Sequence, residues 1–376
     1  MLTFSSHLPP SPAPAMTNTA AKIMASASKA LKLGMIPADG IGREVLPCAA
    51  RVLQATPGAP KIEFINLLAG FEHFQKHGTA LPEETIRALK EECDGAMFGS
   101  VSSPSHKVEG YSSPIVKLRK ELDLYANIRP VVGVSGTRDD DKWVDTVIVR
   151  ENTECLYIKS ETIEDTPQGQ VARAIRQITE KASTRIGRKA FDVALAREQL
   201  RTKAGVAAAR GKAKVTVCHK SNVLSVTDGL FRTSVRAVYE KDQVAAGGPG
   251  RYAGIDMDEQ LVDSMVYTAS SASRTSLMSL LHPTCMVTSS PMVLLPWWVR
   301  WACGTAARVH GESGCVEGSV AHAERAATSQ GLLEPALKIY RAVDEVIREG
   351  RALTPDLRGT ATTTECQDAI IKALTK

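Results

Sequence analysis

Short β-branched runs alternate along this chain with stretches of helical apolar spacing, and that alternation predicts its elements. Leu31-Lys-Leu-Gly-Met-Ile36 reads as the first strand and Pro37-Ala-Asp-Gly-Ile-Gly42 as a turn. Arg43 to Gln54 then places Val45, Leu46, Ala49 and Leu53 on one helical face. Lys61 to Leu67 alternates as a second strand, and Pro82 to Cys93 reads as a helix with Glu83 and Glu84 near its positive end. Gly95-Ala-Met-Phe98 is a third strand, followed by the glycine- and serine-rich loop Gly99 to Ser113. A helix from Pro114 to Asp123 leads into Leu124-Tyr-Ala-Asn-Ile-Arg-Pro130. Further on, Val171 to Ala196 and Asp228 to Tyr239 have helical spacing, and Gln260 to Tyr267 sets Asp263 in a helix. Strands and helices in alternation predict an α/β fold. No G-x-G-x-x-G follows the first strand, so a Rossmann fingerprint is not supported.

Two strands carry more than packing. Thr146-Val-Ile-Val149 delivers Arg150, Glu151, Asn152, Glu154 and Tyr157, and Lys214-Val-Thr-Val-Cys218 delivers His219, Lys220, Ser221 and Asn222. Ligands of open α/β sheets bind beyond the carboxyl ends of strands, so two strand ends rich in ionisable groups are candidate chemistry. Arg119, Arg129 and Arg150 each lie at or near an element end, and guanidinium groups match carboxylates bidentately. Three together point to a polycarboxylate site, although any one of them alone reads as a solvated surface arginine.

Composition narrows the choice. The 376 residues are 43% hydrophobic and 23% charged with a net charge of +5, ordinary for a globular protein of one or two domains. There is no block of like charges to suggest nucleic-acid binding and no apolar run of the roughly 18 residues that a membrane span needs. The eight cysteines include no C-x-x-C pair and read as reduced thiols. Residues 1–30 are rich in Ser, Ala and Pro, with Lys22 and Lys29 but no acidic residue. They are expected to be a disordered extension, either a mitochondrial transit peptide or, if the protein stays cytoplasmic, a plain tail.

The motifs Ile36-Pro-Ala-Asp-Gly-Ile-Gly42, Val108-Glu-Gly-Tyr-Ser-Ser-Pro-Ile-Val116, Val149-Arg-Glu-Asn-Thr-Glu154, His219-Lys-Ser-Asn-Val223, Thr227-Asp-Gly-Leu-Phe-Arg232 and Val262-Asp-Ser-Met-Val266 resemble the β-decarboxylating dehydrogenases of isocitrate, isopropylmalate and homoisocitrate. The resemblance runs through residues 31–267 and again from 337 to 376. Arg150 to Lys159 and Lys220 to Gly229 resemble the homoisocitrate branch most. One departure is Ala38, where the family normally has glycine.

What the resemblance implies is a two-domain α/β fold of the isocitrate/isopropylmalate dehydrogenase type, not Rossmann, working as a homodimer or higher homo-oligomer. A cofactor-binding large domain would comprise residues 31–127 and 268–376, and a small dimerisation domain residues 128–267. The substrate would be a small tricarboxylate 2-hydroxy acid, with no nucleic acid or membrane partner. Arg119, Arg129 and Arg150 would hold its carboxylates, with Ser112, Ser113 and Asn222 adding hydrogen bonds to substrate or cofactor. Lys220 would be the base for the hydroxyl, a role that asks for burial and cationic surroundings. Tyr157 would return a proton to carbon after CO2 leaves. Asp263 would be a ligand to Mg2+ (or Mn2+), and the oxidant would be NAD, whose distinction from NADP the resemblance alone supports. The implied reaction is NAD-dependent decarboxylation of homoisocitrate in lysine biosynthesis. The alternatives are an isocitrate or 3-isopropylmalate dehydrogenase, or a non-catalytic regulatory subunit, which would have no need of both Tyr157 and Lys220.

From Thr268 to about Leu332 the resemblance stops. This window holds three of the four tryptophans and contains neither Asp nor Lys. The family has there a strand, then Tyr-Gly-Asp-Ile-Leu-Ser/Thr-Asp with two metal-binding aspartates, then a nucleotide loop. Suppose each codon takes the last base of one codon and the first two of the next. Met286-Val287, Met292-Val293, Trp298-Val299 and Trp301-Ala302 then force glycine, and Trp297-Trp298 forces valine. All fall where the family has that residue, and the neighbours permit Asp-Val-Val-Val-Ala-Pro-Asn-Met-Tyr-Gly-Asp. The window therefore reads as an out-of-frame translation that removes two of three expected metal carboxylates and the nucleotide loop.

Overall fold

The computed structural model describes residues 30–102, 104, 106, 108–132, 145–203, 212–245, 249–265, 279–282, 333–357 and 359–376. The N-terminal extension expected at 1–30 therefore lies, but for its last residue, outside the described residues. So does all of the anomalous window except residues 279–282.

The first sheet is parallel, in the order β2 (Ile62–Asn66), β1 (Leu31–Ala38), β3 (Gly95–Ser100). Helix α1 (Gly42–Ala55) follows β1, α2 (Phe71–His77) and α3 (Glu83–Glu91) follow β2, and α4 (Pro114–Glu121) follows β3. Met35, Ile36, Leu46, Leu67, Ile86, Phe98 and Leu118 form its core. Two late helices, α7 (Leu333–Glu349) and α8 (Thr363–Leu374), pack onto α1 through Val52, Ala342 and Leu374.

The second sheet runs β4 (Ala126–Val132), β5 (Asp145–Glu151), β10 (Ser279–His282), β8 (Lys214–His219), β9 (Asp256–Leu261). Its members are parallel except β4, which pairs antiparallel with β5 along the edge. Strand β10 lies beyond residue 267, the expected end of the small domain, yet takes the central place in that domain's sheet. Helices α5 (Glu180–Lys203) and α6 (Thr227–Ala245) supply the apolar cover. Phe191, Phe231 and Val235 are buried with Ile128, Val147, Val149, Val215 and Val217. Strand β8 is buried on both faces from Val215 to His219, which explains its continuous apolar run, whereas β5 buries only the Val147 and Val149 face.

Three expectations change. Residues 171–174 are strand, not helix: β6 (Glu161–Thr166) and β7 (Gly169–Ala174) make an antiparallel hairpin. Helix α5 starts only after Thr179, whose hydroxyl accepts the Ala182 N–H at 3.2 Å and so satisfies a donor that helix geometry leaves open. Gln260 and Leu261 close β9, and the helical turn holding Asp263 covers residues 262–265. Helix α2 was not foreseen. Its first N–H groups, from Phe71 and Glu72, donate to the buried Asp39 carboxylate at 2.8 and 3.1 Å, and the Ser102 N–H does so at 3.0 Å. A negative charge at that helix end also suits its dipole.

In the turn after β1, glycine is used for contact. A Cβ on Gly42 or Gly99 would lie 2.1 Å from the Pro37 carbonyl oxygen. Ala38 is the opposite case: its φ of 54° lies in the left-handed region, which costs a residue with a Cβ about 1–2 kcal/mol. Glycine loses more chain entropy on folding, roughly 0.5–1 kcal/mol. The difference gives the expected sign: Ala38→Gly stabilises the protein by about 0.5–1 kcal/mol, measurable as a right-shifted urea midpoint. An unchanged or lowered midpoint would show the turn to be unstrained.

Candidate functional site

Antiparallel register sets the first cluster. Asn127 stands opposite Arg150 and Arg129 opposite Ile148, so Asn127, Arg129 and Arg150 share one face while Ile128, Val147 and Val149 fill the core. Arg129 Nε donates to Asn127 Oδ1 at 3.2 Å. Arg150 Nη2 donates to the Tyr157 hydroxyl at 2.7 Å, and its guanidinium carbon lies 5.5 Å from that ring's centre. Tyr157 is 37% exposed on a 3-10 turn, Leu156–Ile158. The other arginine, Arg119, lies in the last turn of α4, whose start carries Ser113 at the N-cap and Ser112 beside it. Ser112 lines a small cleft with Thr79, Leu81, Pro114 and Lys117.

Acidic residues of the first burst build the turn and do not face a ligand. Glu151 accepts from the Thr153 N–H (2.8 Å), the Thr153 hydroxyl (2.6 Å) and the Glu154 N–H (3.1 Å). Glu154 accepts from the Thr179 N–H at 2.9 Å and from its hydroxyl. Arg185, stacked 4.1 Å over the Tyr125 ring, reaches Glu151, Thr153 and Asp123. Cys155 adopts φ 65° in the bend between them and is joined in a disulfide, against the expectation of free thiols; Cys48, Cys93, Cys218 and Cys366 are free.

A second cluster forms where β8 ends. The Lys220 N–H donates to Asp228 Oδ2 at 2.6 Å, and the Lys220 ammonium is paired with the Asp263 carboxylate. The lysine therefore faces a carboxylate in this chain, where the proposed base role asks for cationic surroundings. Asn222 is exposed on the following turn. Cys218, buried beneath with Asp228 close by, has its thiol pushed up to about 12 and is no nucleophile.

Among the described residues no three His, Cys, Asp or Glu side chains gather to hold a metal ion. Asp263 offers one carboxylate and Lys220 occupies it, so the described residues do not fit a divalent centre, which prefers near-octahedral oxygen ligation. Asn222 offers one amide to a dinucleotide and no more. No helix among the described residues is long and apolar enough to cross a membrane.

Sequence reading missed Asp228, Arg176 and Arg185 as residues that hold the site. Asp228 is fully buried and Arg176 Nη2 lies 2.6 Å from its Oδ1, an ion pair that lacks aligned hydrogen-bond geometry. The Thr227-Asp228 start of α6 was the available signal, since an acid in a first turn is a common helix device. Nothing local marks Arg176.

Residues 32–273 match the family model described as isocitrate/isopropylmalate dehydrogenase. An isocitrate/homoisocitrate dehydrogenase of Thermus thermophilus is 34% identical over 369 residues, covering 92% of this chain and 99% of its own. A 3-isopropylmalate/3-methylmalate dehydrogenase of Methanocaldococcus jannaschii is 41% identical over 237 residues, covering 62% and 61%. Among solved structures, an isocitrate dehydrogenase from Methylococcus capsulatus superposes with a TM-score of 0.65 at 26% identity, covering 92% of this chain and 100% of that one.

His219, buried at the end of β8, gives the site a pH dependence. Burial first, and then the Arg232 guanidinium, push its imidazole below the ordinary value. Its Nδ1 accepts the Ser221 N–H at 3.2 Å and is therefore the unprotonated nitrogen. The unfolded histidine titrates near about 6.5. Below that, the unfolded chain takes up a proton that the folded chain resists, so acid favours unfolding. Melting temperature is expected to fall as pH drops through about 6.5, and to fall less steeply in His219→Gln. Parallel pH profiles for the two proteins would remove His219 from the explanation.

Proposed function

The chain belongs to the isocitrate/isopropylmalate dehydrogenase family, and we propose that its natural product converts homoisocitrate to 2-oxoadipate with NAD, in lysine synthesis through aminoadipate. The family's members are β-decarboxylating oxidoreductases that use NAD(P) and a divalent metal. The finer assignment draws on the segments Arg150 to Lys159 and Lys220 to Gly229. The observation that carries the acid–base reading is the 2.7 Å contact of Arg150 with the Tyr157 hydroxyl. It sets a carboxylate-binding cation beside a proton donor, on a face shared with Arg129.

In this reading the guanidinium groups of Arg119, Arg129 and Arg150 bind the substrate carboxylates. Lys220 takes the proton of the 2-hydroxyl, and a bound nicotinamide would supply the acceptor for the hydride of that carbon. The β-keto acid so formed loses CO2, and Tyr157 delivers a proton to the resulting enol carbon, with Arg150 fixing the hydroxyl's direction. Lys220 must leave Asp263 to act, and a second copy of the chain supplies a reason for it to move. Around Lys220 the side chains of Val223, Leu224, Val226 and Leu230 stand exposed, Val226 by 81%, and the β6–β7 hairpin exposes Ile163. An apolar surface of this kind suits a homodimer interface.

The proposal extends to the anomalous window. The family match ends at residue 273, close to where the sequence resemblance stops. Counting back from the forced glycine at Met286-Val287, the three permitted valines fall on residues 278–281, and β10 occupies 279–282 between β5 and β8. A slot with a parallel partner strand on either side is where a Val-Val-Val strand belongs. We read the polypeptide as a frame-shifted version of an active enzyme, with its metal and nucleotide ligands one frame away.

Transcript reads across the codons for residues 266–335 are expected to show the other frame; uninterrupted agreement with the present sequence would refute it. For the transcript-encoded enzyme, homoisocitrate is expected to give a higher kcat/KM than isocitrate or 3-isopropylmalate. Tyr157→Phe and Lys220→Met are each expected to lower kcat by about 10²–10⁴-fold. Preference for another of the three acids would reassign the substrate, undiminished kcat in both variants would dismiss the acid–base pair, and a sedimentation mass of one chain would dismiss the dimer.

A further inference from the structure

A chain of contacts runs between the two strand ends and plays no part in binding or proton transfer. It starts two residues before Tyr157. The Cys155 N–H donates to the Gln177 carbonyl at 2.9 Å, making an isolated antiparallel bridge there. The neighbouring Arg176 donates from Nε to Cys155 Sγ at 3.3 Å. At its other end the same guanidinium meets Asp228 at 2.6 Å, with Asp228 wholly buried and Arg176 13% exposed. The other Asp228 oxygen accepts the Lys220 N–H at 2.6 Å. One arginine and one aspartate therefore join the turn that carries Tyr157 to the turn that carries Lys220.

We propose that Arg176 and Asp228 are positioning residues that lock these two turns into a single unit. Glu151 and Glu154 brace the first turn locally, through Thr153, Glu154 and Thr179, but these bonds do not reach the Lys220 turn. Cys155 sits at φ 65° and Lys159 at φ 55°, so the Tyr157 turn is bracketed by two left-handed residues that have side chains. Backbone of this kind persists only where surrounding contacts over-determine it. Asp228 cannot turn to water in place of Arg176, because a buried charge is held only by a partner. Displacing either turn displaces the other, which matters because reacting groups must lie within a few tenths of an ångström of their productive places. The inference rests on reading Tyr157 and Lys220 as acid and base for its catalytic consequence, but the mechanical link stands without it.

Hydrogen–deuterium exchange on the full chain tests the link without requiring activity. In Arg176→Met, peptides covering 153–158 and 219–224 are expected to lose protection together, while the β6–β7 hairpin is unchanged. Arg176→Lys, which keeps a cation opposite Asp228 but loses the fork, is expected to loosen both turns together, less than Arg176→Met does. Loss of protection in one turn only in Arg176→Met, in neither turn, or evenly along the chain would overturn the proposal. In the transcript-encoded enzyme, Arg176→Lys is expected to lower kcat about 10–100-fold with KM nearly unchanged. Tyr157→Phe serves as its control: an inert Tyr157→Phe would reject the acid–base reading, whereas a damaging Tyr157→Phe beside normal kcat in Arg176→Lys would reject the positioning role.

Discussion

Parallel alignment of β5, β10 and β8 is the constraint on which the rest depends. Because all three point the same way, β5 and β8 end on one edge of the sheet with a single strand between them. Neighbouring strands in a sheet lie about 4.8 Å apart, so the two ends are held roughly 10 Å apart by backbone hydrogen bonds alone. Side chains at the two ends are thereby fixed relative to one another. The apolar runs that bury these strands and the polar bursts that end them are two consequences of that arrangement.

Charge is divided between two tasks. Asp39, Glu151, Glu154 and Asp228 accept hydrogen bonds from backbone N–H groups at turns and helix starts. Charge-assisted bonds of this kind are among the stronger ones available, and they fix loops that have little apolar surface to bury. At the strand face, Arg150 donates to the Tyr157 hydroxyl and Arg129 to Asn127. An acid-rich stretch beside basic residues therefore need not be a catalytic dyad; here the acids hold the frame, with Arg176 and Arg185 as their partners.

Much of this was legible from residue pattern. Strands β1, β2, β3, β5 and β8 and the helices that follow β1 and β3 were foreseen, because each carries a clean apolar period. The β6–β7 hairpin was not. Its residues lie exposed on both faces, so no alternation marks it, and Val171, Ile175, Ile178 and Ala182 happen to follow a helical spacing. The arginines and Tyr157 could be picked out by type and place, and so could Lys220. Arg176 could not, since its meaning comes from Asp228, 52 positions later and reached only through the fold. The Lys220–Asp263 pair was hidden for the same reason: both residues were seen, but not that one neutralises the other.

Central strand β10 shows how little of a sheet's geometry resides in any one strand. A short run, Ser279–His282, takes the middle position with parallel partners on both sides, although its residues lack the β-branched run of β5 and β8. Flanking strands already display unpaired backbone donors and acceptors at the right spacing, so almost any extended segment delivered by the chain can complete the ladder. Backbone pairing tolerates a changed frame because it reads no side chains. Chemistry does not, because carboxylates beyond the strand end must be the right residues at the right positions. A shifted frame in this window would thus leave the sheet recognisable and the metal-binding function absent, which matches a chain whose fold is plain and whose acidic cluster is missing from the described residues.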